Sequence, residues 1–329
     1  MMLAVSFGVI LLAAELFTNG VEWFGKRLQL AEGAVGSVLA AVGTALPETS
    51  IAIVAVVSGK ATHAVGIGAI LGAPMMLSTL AMFVTGLAVI LFARAGRRAL
   101  EMTVDHRILG RDLRAFFSVY ALAIAAAFVR WYPARAAVAI FLVAMYACYV
   151  RQTFRAEGNS TGDHDLKPLH FRRRAAVPRL RIVALQALVG LALIFVGAKL
   201  FISSVYPISG LLGIPPLVLG LIITPIATEL PEKFNSITWV RQKKDTLALG
   251  NISGAMVFQS SITPAIGIVF TSWDLGKDPD ALAGAIIAIA AAVGLWIELS
   301  FRKRLSPYSL LAGGLFYALY PIYVFGIMR

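Results

Sequence analysis

Long apolar stretches recur along the whole chain and are separated by short polar segments. A helix needs about 20 apolar residues to cross the hydrocarbon core of a bilayer. The pattern therefore predicts an all-α polytopic membrane protein with ten transmembrane helices. We expect them near residues 3–24, 34–58, 63–92, 113–129, 133–150, 181–203, 214–240, 246–271, 281–300 and 307–328. The third is long, and Pro74 predicts that it is tilted or interrupted there.

The composition agrees with this pattern. The chain is 59% hydrophobic and 14% charged, whereas soluble domains have about 45–50% apolar and about 25% charged residues. It contains neither H-E-x-x-H nor G-x-S-x-G, which argues against an intramembrane hydrolase. It also lacks the nucleotide-binding pattern G-x-x-x-x-G-K-[ST]. We therefore predict a protein that is not an enzyme and that has no nucleotide partner and no cofactor.

Basic residues are distributed unevenly between the loops. The chain has 29 Lys and Arg against 17 Asp and Glu, a formal net charge of +12. Loops after odd-numbered spans hold 22 of these basic residues, and the opposite side holds five. Because cytoplasmic loops carry such an excess, we expect both termini outside, in the plasma or inner membrane of the cell. The excess charge then reflects topology and not a nucleic-acid partner.

The longest basic loop divides the chain into two halves. We interpret residues 151–180 as a cytoplasmic linker between a first five-helix repeat, residues 1–150, and a second, residues 181–329. Its basic residues favour contact with membrane lipid. GTALPE at residues 43–48 matches ATELPE at residues 227–232, an offset of 184. Five is odd, so the second unit enters the membrane in the opposite direction, and the pattern predicts two inverted-topology repeats.

Each of these motifs combines a threonine, a proline and a glutamate near the middle of a span. A proline frees the carbonyl one turn earlier, and a freed carbonyl within a membrane must find a partner. Threonine and glutamate four residues apart lie on one face of a helix. Hydroxyl, carbonyl and carboxylate oxygens are the ligands that Ca²⁺ prefers. The predicted ligands of a midplane cation site are Thr44, Glu48, Thr228 and Glu232.

The second motif contains an additional carboxylate, because Glu229 stands where the first half has Ala45. Glu229 is a candidate third ligand, a proton carrier, or a partner for Lys233. A carboxylate can carry a proton where a hydroxyl cannot. The sequence therefore leaves both Na⁺ and H⁺ open as the coupling ion.

These motifs resemble those of the cation/Ca²⁺ antiporter superfamily, the sodium/calcium exchangers. The family pattern is G-T-S-L-P-E in each half, followed on the next span by G-N-x-x-G-S-N. Here the following segments read GAILGAP from Gly68 and GNISGAM from Gly250. The resemblance implies exchange of Ca²⁺ for Na⁺ or H⁺ by alternating access. It adds Asn251 and Gln259 to the candidate ion ligands.

Several hydroxyl positions of the family pattern are occupied by alanine here. The serine of the second motif is replaced by Ala73 in the first half and by Ala255 in the second. Leu77 stands where the family has an amide or carboxylate. These replacements leave three alternatives: a Ca²⁺ antiporter, an exchanger of another cation, or an ion-binding paralogue that does not transport.

Overall fold

The computed structural model describes residues 2–27, 41–59, 62–156, 166–228, 230–276 and 278–327, and these residues contain helices and turns but no strand. The helices of the first half are α1 (Met2–Arg27), α2 (Ala41–Val57), α3 (His63–Met76), α4 (Met82–Arg94), α5 (His106–Ala126) and α6 (Tyr132–Ala156). Those of the second half are α7 (Leu180–Leu212), α8 (Pro216–Thr228), α9 (Leu230–Arg241), α10 (Asp245–Phe270), α11 (Pro279–Arg302) and α12 (Pro307–Ile322).

The prediction of an all-helical chain is confirmed. Seven helical segments of the described chain are long and apolar enough to cross a membrane, namely α1, α3 with α4, α6, α7, α10, α11, and α12 with its extension. Ten transmembrane helices in two inverted repeats stay a prediction, as do the boundaries 1–150, 151–180 and 181–329. Helix α6 continues to Ala156, six residues into the predicted linker.

The third predicted span is continuous and contains one irregularity. Pro74 lies inside α3, and the chain continues through a π-helical turn, Leu77–Ala81, into α4. The backbone N–H of Leu77 reaches the carbonyls of both Ala73 and Pro74. A single π turn inside an α-helix accommodates an extra residue and is the usual form in which π geometry occurs. The span is therefore locally widened a few residues after the proline and not broken at it.

Small residues set the closest approaches between helices. In the pair α1 and α7, a Cβ on Gly190 would meet the backbone of Phe17, and a Cβ on Gly20 would meet that of Ala187. The contact residues run in opposite directions along the two helices, so the helices are antiparallel. In the pair α3 and α8, Gly68 and a second glycine one turn later lie directly against backbone carbonyls of α8. Such close packing of small residues is the usual basis of helix association in membranes.

Helix α10 occupies the centre of the bundle. In the most apolar stretch of α10, 83% of the residues are buried. The corresponding share is 28% for α1 and α7 and 17% for α6. Helices α2, α3, α5, α6 and α9 all pack against α10. The side chains of α10 therefore face protein on nearly every side, and its polar residues need partners within the protein.

A buried ion pair fixes the corner between α9 and α10. Arg98, in the loop between α4 and α5, contacts both oxygens of Asp245 at 2.6 and 2.7 Å. The same guanidinium donates to the carbonyl of Val240, at the end of α9, at 2.8 Å. Carbonyls of Ala99 and Glu101 accept its two remaining N–H groups. All five donors are satisfied, which is what a buried guanidinium requires.

Candidate functional site

Glu48 is buried within α2. Only 2% of the surface of Glu48 is exposed, and the neighbouring Pro47 lies inside the helix. The carbonyl four residues before Pro47 therefore receives no helical N–H. The hydroxyl of Thr49 donates to the carbonyl of Ala45 at 2.8 Å, which adds a side-chain hydrogen bond to this turn of α2. A carboxylate in this position is expensive and indicates a functional role in a membrane protein.

Two side-chain amides lie buried on α10, the helix against which α2 packs. Asn251 is 1% exposed and Gln259 is fully buried. Neither the oxygen nor the nitrogen of either amide has a hydrogen-bond partner among the described residues. They are eight residues apart, about 12 Å along the helix axis. Buried polar groups are normally paired, so these amides are available to a ligand or to water.

Four candidates cannot be placed. Nothing is described of the side chains of Thr44, Thr228 and Glu232, and Glu229 lies outside the described residues altogether. The convergence of the two glutamate motifs on one cation therefore stays a prediction. Within the part of the chain that is described, no three His, Cys, Asp or Glu residues form a group that could hold a metal ion.

Three buried hydroxyls were not anticipated from the sequence. Ser50, Ser236 and Ser260 are at most 2% exposed, and their Oγ atoms have no hydrogen-bond partner within the described ranges. Ser50 follows Glu48 on α2, Ser236 lies one turn after the second motif, and Ser260 is next to Gln259. Their nearness in sequence to the candidate ligands is the signal that could have identified them. Together these groups offer mainly oxygen, the donor that hard cations prefer.

A buried carboxylate outside the motifs anchors α10 to its neighbours. Asp112 on α5 accepts from the hydroxyl of Ser253 on α10 at 2.7 Å and from that of Tyr149 on α6 at 3.1 Å. Arg111 lies 3.1 Å from the same carboxylate. Since donors from three residues surround Asp112, it acts as a structural link that holds the α10 turn following Asn251. The sequence carries no local motif that would have indicated this role.

The pattern of the motifs and the helical bundle both have counterparts among known proteins. The sodium/calcium exchanger protein family matches residues 1–154 and 182–329 of this chain. The chain belongs to the sodium/calcium exchanger protein family. The match covers both halves and omits only the segment between them, so the recognition from the two glutamate motifs is confirmed. The chain is an integral membrane protein and a member of an antiporter family.

Individual relatives are distant in sequence and similar in length. A protein of Alkalimonas amylolytica named "Putative antiporter CaxA" is 23% identical over 301 residues, which cover 87% of each chain. The solved structure of the H⁺/Ca²⁺ exchanger CAX has a TM-score of 0.75 at 16% identity and covers 98% of this chain and 85% of its own. The sodium-calcium exchanger NCX_Mj has a TM-score of 0.61 at 18% identity and covers 99% and 97%. These two structures establish that this exchanger-family member shares their fold.

Proposed function

We propose that this protein is a secondary active antiporter that exchanges Ca²⁺ for H⁺ or Na⁺ by alternating access. The observation that carries the proposal is the burial of Glu48 on α2. This helix packs against α10, whose buried amides Asn251 and Gln259 have no hydrogen-bond partner among the described residues. A carboxylate and neutral oxygens in a dry site suit a desolvated divalent cation. Membership of the exchanger family supports the same function.

The proposed ion site lies at the midplane between the two repeats. Helix α3 packs on α8, and α2 packs on α10. In the repeat alignment the span that contains α2 corresponds to the span that contains α8 and α9, and α3 corresponds to α10. Each of the two contacts therefore joins the motif span of one half to the following span of the other half. Packing of this kind is expected when inverted repeats meet around a central site. We extend the ligand set by this relation to Thr44, Thr228, Glu229 and Glu232.

We favour H⁺ over Na⁺ as the coupling ion. Ala45, Ala73 and Ala255 are each at most 2% exposed, and they occupy positions where the family pattern has serine. The protein therefore lacks several neutral oxygens that would replace the hydration shell of a Na⁺ ion. A second carboxylate in one motif, Glu229, supplies a group that can bind a proton instead. The similarity in fold to a structure described as an H⁺/Ca²⁺ exchanger agrees with this preference.

Transport by the purified protein in liposomes tests the function. We expect uptake of ⁴⁵Ca²⁺ to be driven by an outward H⁺ gradient and to fall more than roughly 100-fold in Glu48→Gln, because loss of an ion ligand exceeds the 10–100-fold cost of an outer-shell partner. Glu101→Gln is the matched control, since Glu101 is 76% exposed and pairs only loosely with Arg304. Undiminished uptake in Glu48→Gln would contradict the site.

Changing the driving gradient identifies the coupling ion and distinguishes the alternative functions. An outward Na⁺ gradient should drive much less uptake than an outward H⁺ gradient in the same liposomes. Uptake driven only by Na⁺ would overturn our choice of coupling ion. Absence of flux in both arms, together with a Ca²⁺-induced rise in melting temperature, would identify a binding protein that does not transport. Absence of both would point to a different cation.

A further inference from the structure

A basic crevice of about 190 Å³ opens between the beginning of α5 and the end of α11, and neither Glu48 nor the amides of α10 line it. Cationic side chains line it on both sides, and an indole and a leucine form part of its wall. We call this feature the basic crevice and define it by Arg107, Arg114, Trp296, Leu299 and Lys303. It lies at the end of the bundle that the loop charges predict to be cytoplasmic.

The three cations of the basic crevice have no ion pair among the described residues, whereas their neighbours do. Arg302 lies 3.7 Å from Glu298, and Arg304 lies 3.6 Å from Glu101. The nearby Asp105 is already used, because it caps α5 by accepting the backbone N–H of Arg107 at 2.8 Å. The nearby carboxylates therefore pair with cations outside the crevice or cap a helix. The cations inside the crevice have no counter-charge from the described chain.

Backbone and aromatic contacts hold two walls of the crevice in place. Lys303 ends α11 in a left-handed conformation with φ of 54°, and its backbone N–H donates to the carbonyl of Leu299 at 3.0 Å. The ring of Trp296 packs edge-on against that of Phe117, with centroids 6.3 Å apart. The cations on α5 and the residues of α11 therefore converge on one space through fixed backbone positions.

The chemistry of this space selects a phosphate-bearing anion. Guanidinium groups bind phosphate through two parallel N–H contacts, and a lysine adds a compact charge. The volume is below the roughly 300–1,000 Å³ of sites for drug-sized molecules, so it suits a headgroup and not a large metabolite. We propose that the basic crevice binds the phosphate of an anionic membrane phospholipid.

Apolar surface beside the crevice favours a lipid over free phosphate as the source. Phe301 is 85% exposed and Ile297 is 45% exposed, both on the last turns of α11. A phosphate held by the cations could therefore extend its acyl chains along these side chains. Trp296 is the residue type that concentrates at membrane–water interfaces, and anionic lipids are enriched in the cytoplasmic leaflet.

Binding is tested on the purified, delipidated protein in neutral detergent by native mass spectrometry, with phosphatidylglycerol, phosphatidylcholine or inorganic phosphate added. We expect the wild type to retain phosphatidylglycerol selectively. The triple variant Arg107→Gln, Arg114→Gln, Lys303→Gln should bind it about 100-fold more weakly, since each cation contributes roughly fivefold. The charge-keeping variant Arg107→Lys with Arg114→Lys should remain within about tenfold of the wild type.

A matched control removes the same charge elsewhere. Arg241, Lys243 and Lys244 are exposed and lie at the corner between α9 and α10, and their replacement by glutamine should leave phosphatidylglycerol binding unchanged. Equal losses in both triple variants, or none in either, would overturn the proposal. So would a lysine variant as weak as the glutamine variant. Binding of inorganic phosphate in place of lipid would overturn the lipid as the source.

Discussion

Burial of the Asn251 and Gln259 amides costs free energy, because no hydrogen bond to the described residues offsets the loss of water. A buried polar group without a partner costs about 1–3 kcal/mol, and both amides are fully or almost fully buried without one among the described residues. A structural role would give them partners within the protein. We therefore interpret them as groups available to a transported ion, as the proposed function requires.

Apolar replacements of similar shape test this at the residue scale. We expect Asn251→Leu and Gln259→Met to leave the melting temperature of the ion-free protein unchanged or higher, because an unpaired amide is removed. The rise in melting temperature that Ca²⁺ produces in the wild type should shrink, since stabilisation by a ligand follows its affinity. The measurement is thermal unfolding with and without Ca²⁺.

The control for these variants lies on the same helix. Ser253→Ala removes a hydroxyl that donates to the buried Asp112 at 2.7 Å, so it should lower the melting temperature of the ion-free protein. It should leave the Ca²⁺-dependent rise in place. If Gln259→Met destabilises the ion-free protein as Ser253→Ala does, the amide is structural and our assignment is wrong.

At the scale of elements, the fold depends on contacts between segments far apart in sequence. Arg98 joins the α4–α5 loop to the α9–α10 corner across 147 residues. This corner connects the helix of the second glutamate motif with the helix of the two amides. The ion pair therefore sets the relation between two elements of the candidate site without belonging to the site itself.

Breaking this pair should destabilise the protein strongly. Arg98→Ala leaves the carboxylate of Asp245 buried and uncompensated, which costs about 3–5 kcal/mol and should appear as a lower melting temperature. The double variant Arg98→Ala, Asp245→Ala should recover part of the loss, because no isolated charge remains. The exposed pair of Arg304 and Glu101 provides the contrast: Arg304→Ala should cost about 0–1 kcal/mol. Equal effects of the two arginine substitutions would contradict this interpretation.

Glycine contacts determine how closely α3 and α8 approach. A Cβ on Gly72 would fall inside the contact distance of the carbonyl oxygen of Leu221, which cannot move without bending α8. We expect Gly72→Ala to lower the melting temperature and the yield of folded protein. Gly8→Ala is the control, because a Cβ at Gly8 meets nothing within 4 Å and alanine favours the helix by about 1 kcal/mol. A neutral Gly72→Ala would show that this interface is looser than described.

At the scale of the whole molecule, the asymmetry of loop charge predicts which way the bundle faces. The natural Cys148 is exposed, so a Cys148→Ser background is needed before single cysteines are introduced. Arg130→Cys should react with a membrane-impermeant maleimide on intact cells, because its loop is predicted outside. Arg173→Cys should react only after permeabilisation. The reverse pattern would invert the proposed topology.

The sequence by itself determined the helical class, the membrane environment and the family. These properties depend on local or composition-level features: apolar runs long enough to span a bilayer, the excess of Lys and Arg in alternate loops, and the repeated motif around Glu48. It also placed Asn251 and Gln259 among the candidates through the resemblance of the surrounding motif. None of these conclusions needs to know which helix packs against which.

Only the tertiary structure decided which of these residues are buried and which groups surround them. It buried the amides of α10, enclosed Asp112 among donors from three helices, and paired Arg98 with Asp245. It also left the cations of the basic crevice without an ion pair among the described residues, while neighbouring arginines pair with carboxylates. Hydrophobic periodicity indicates that a helix forms and crosses the membrane. Partners more than 140 residues apart have no such local signal, because their contact depends on the packing of the whole bundle.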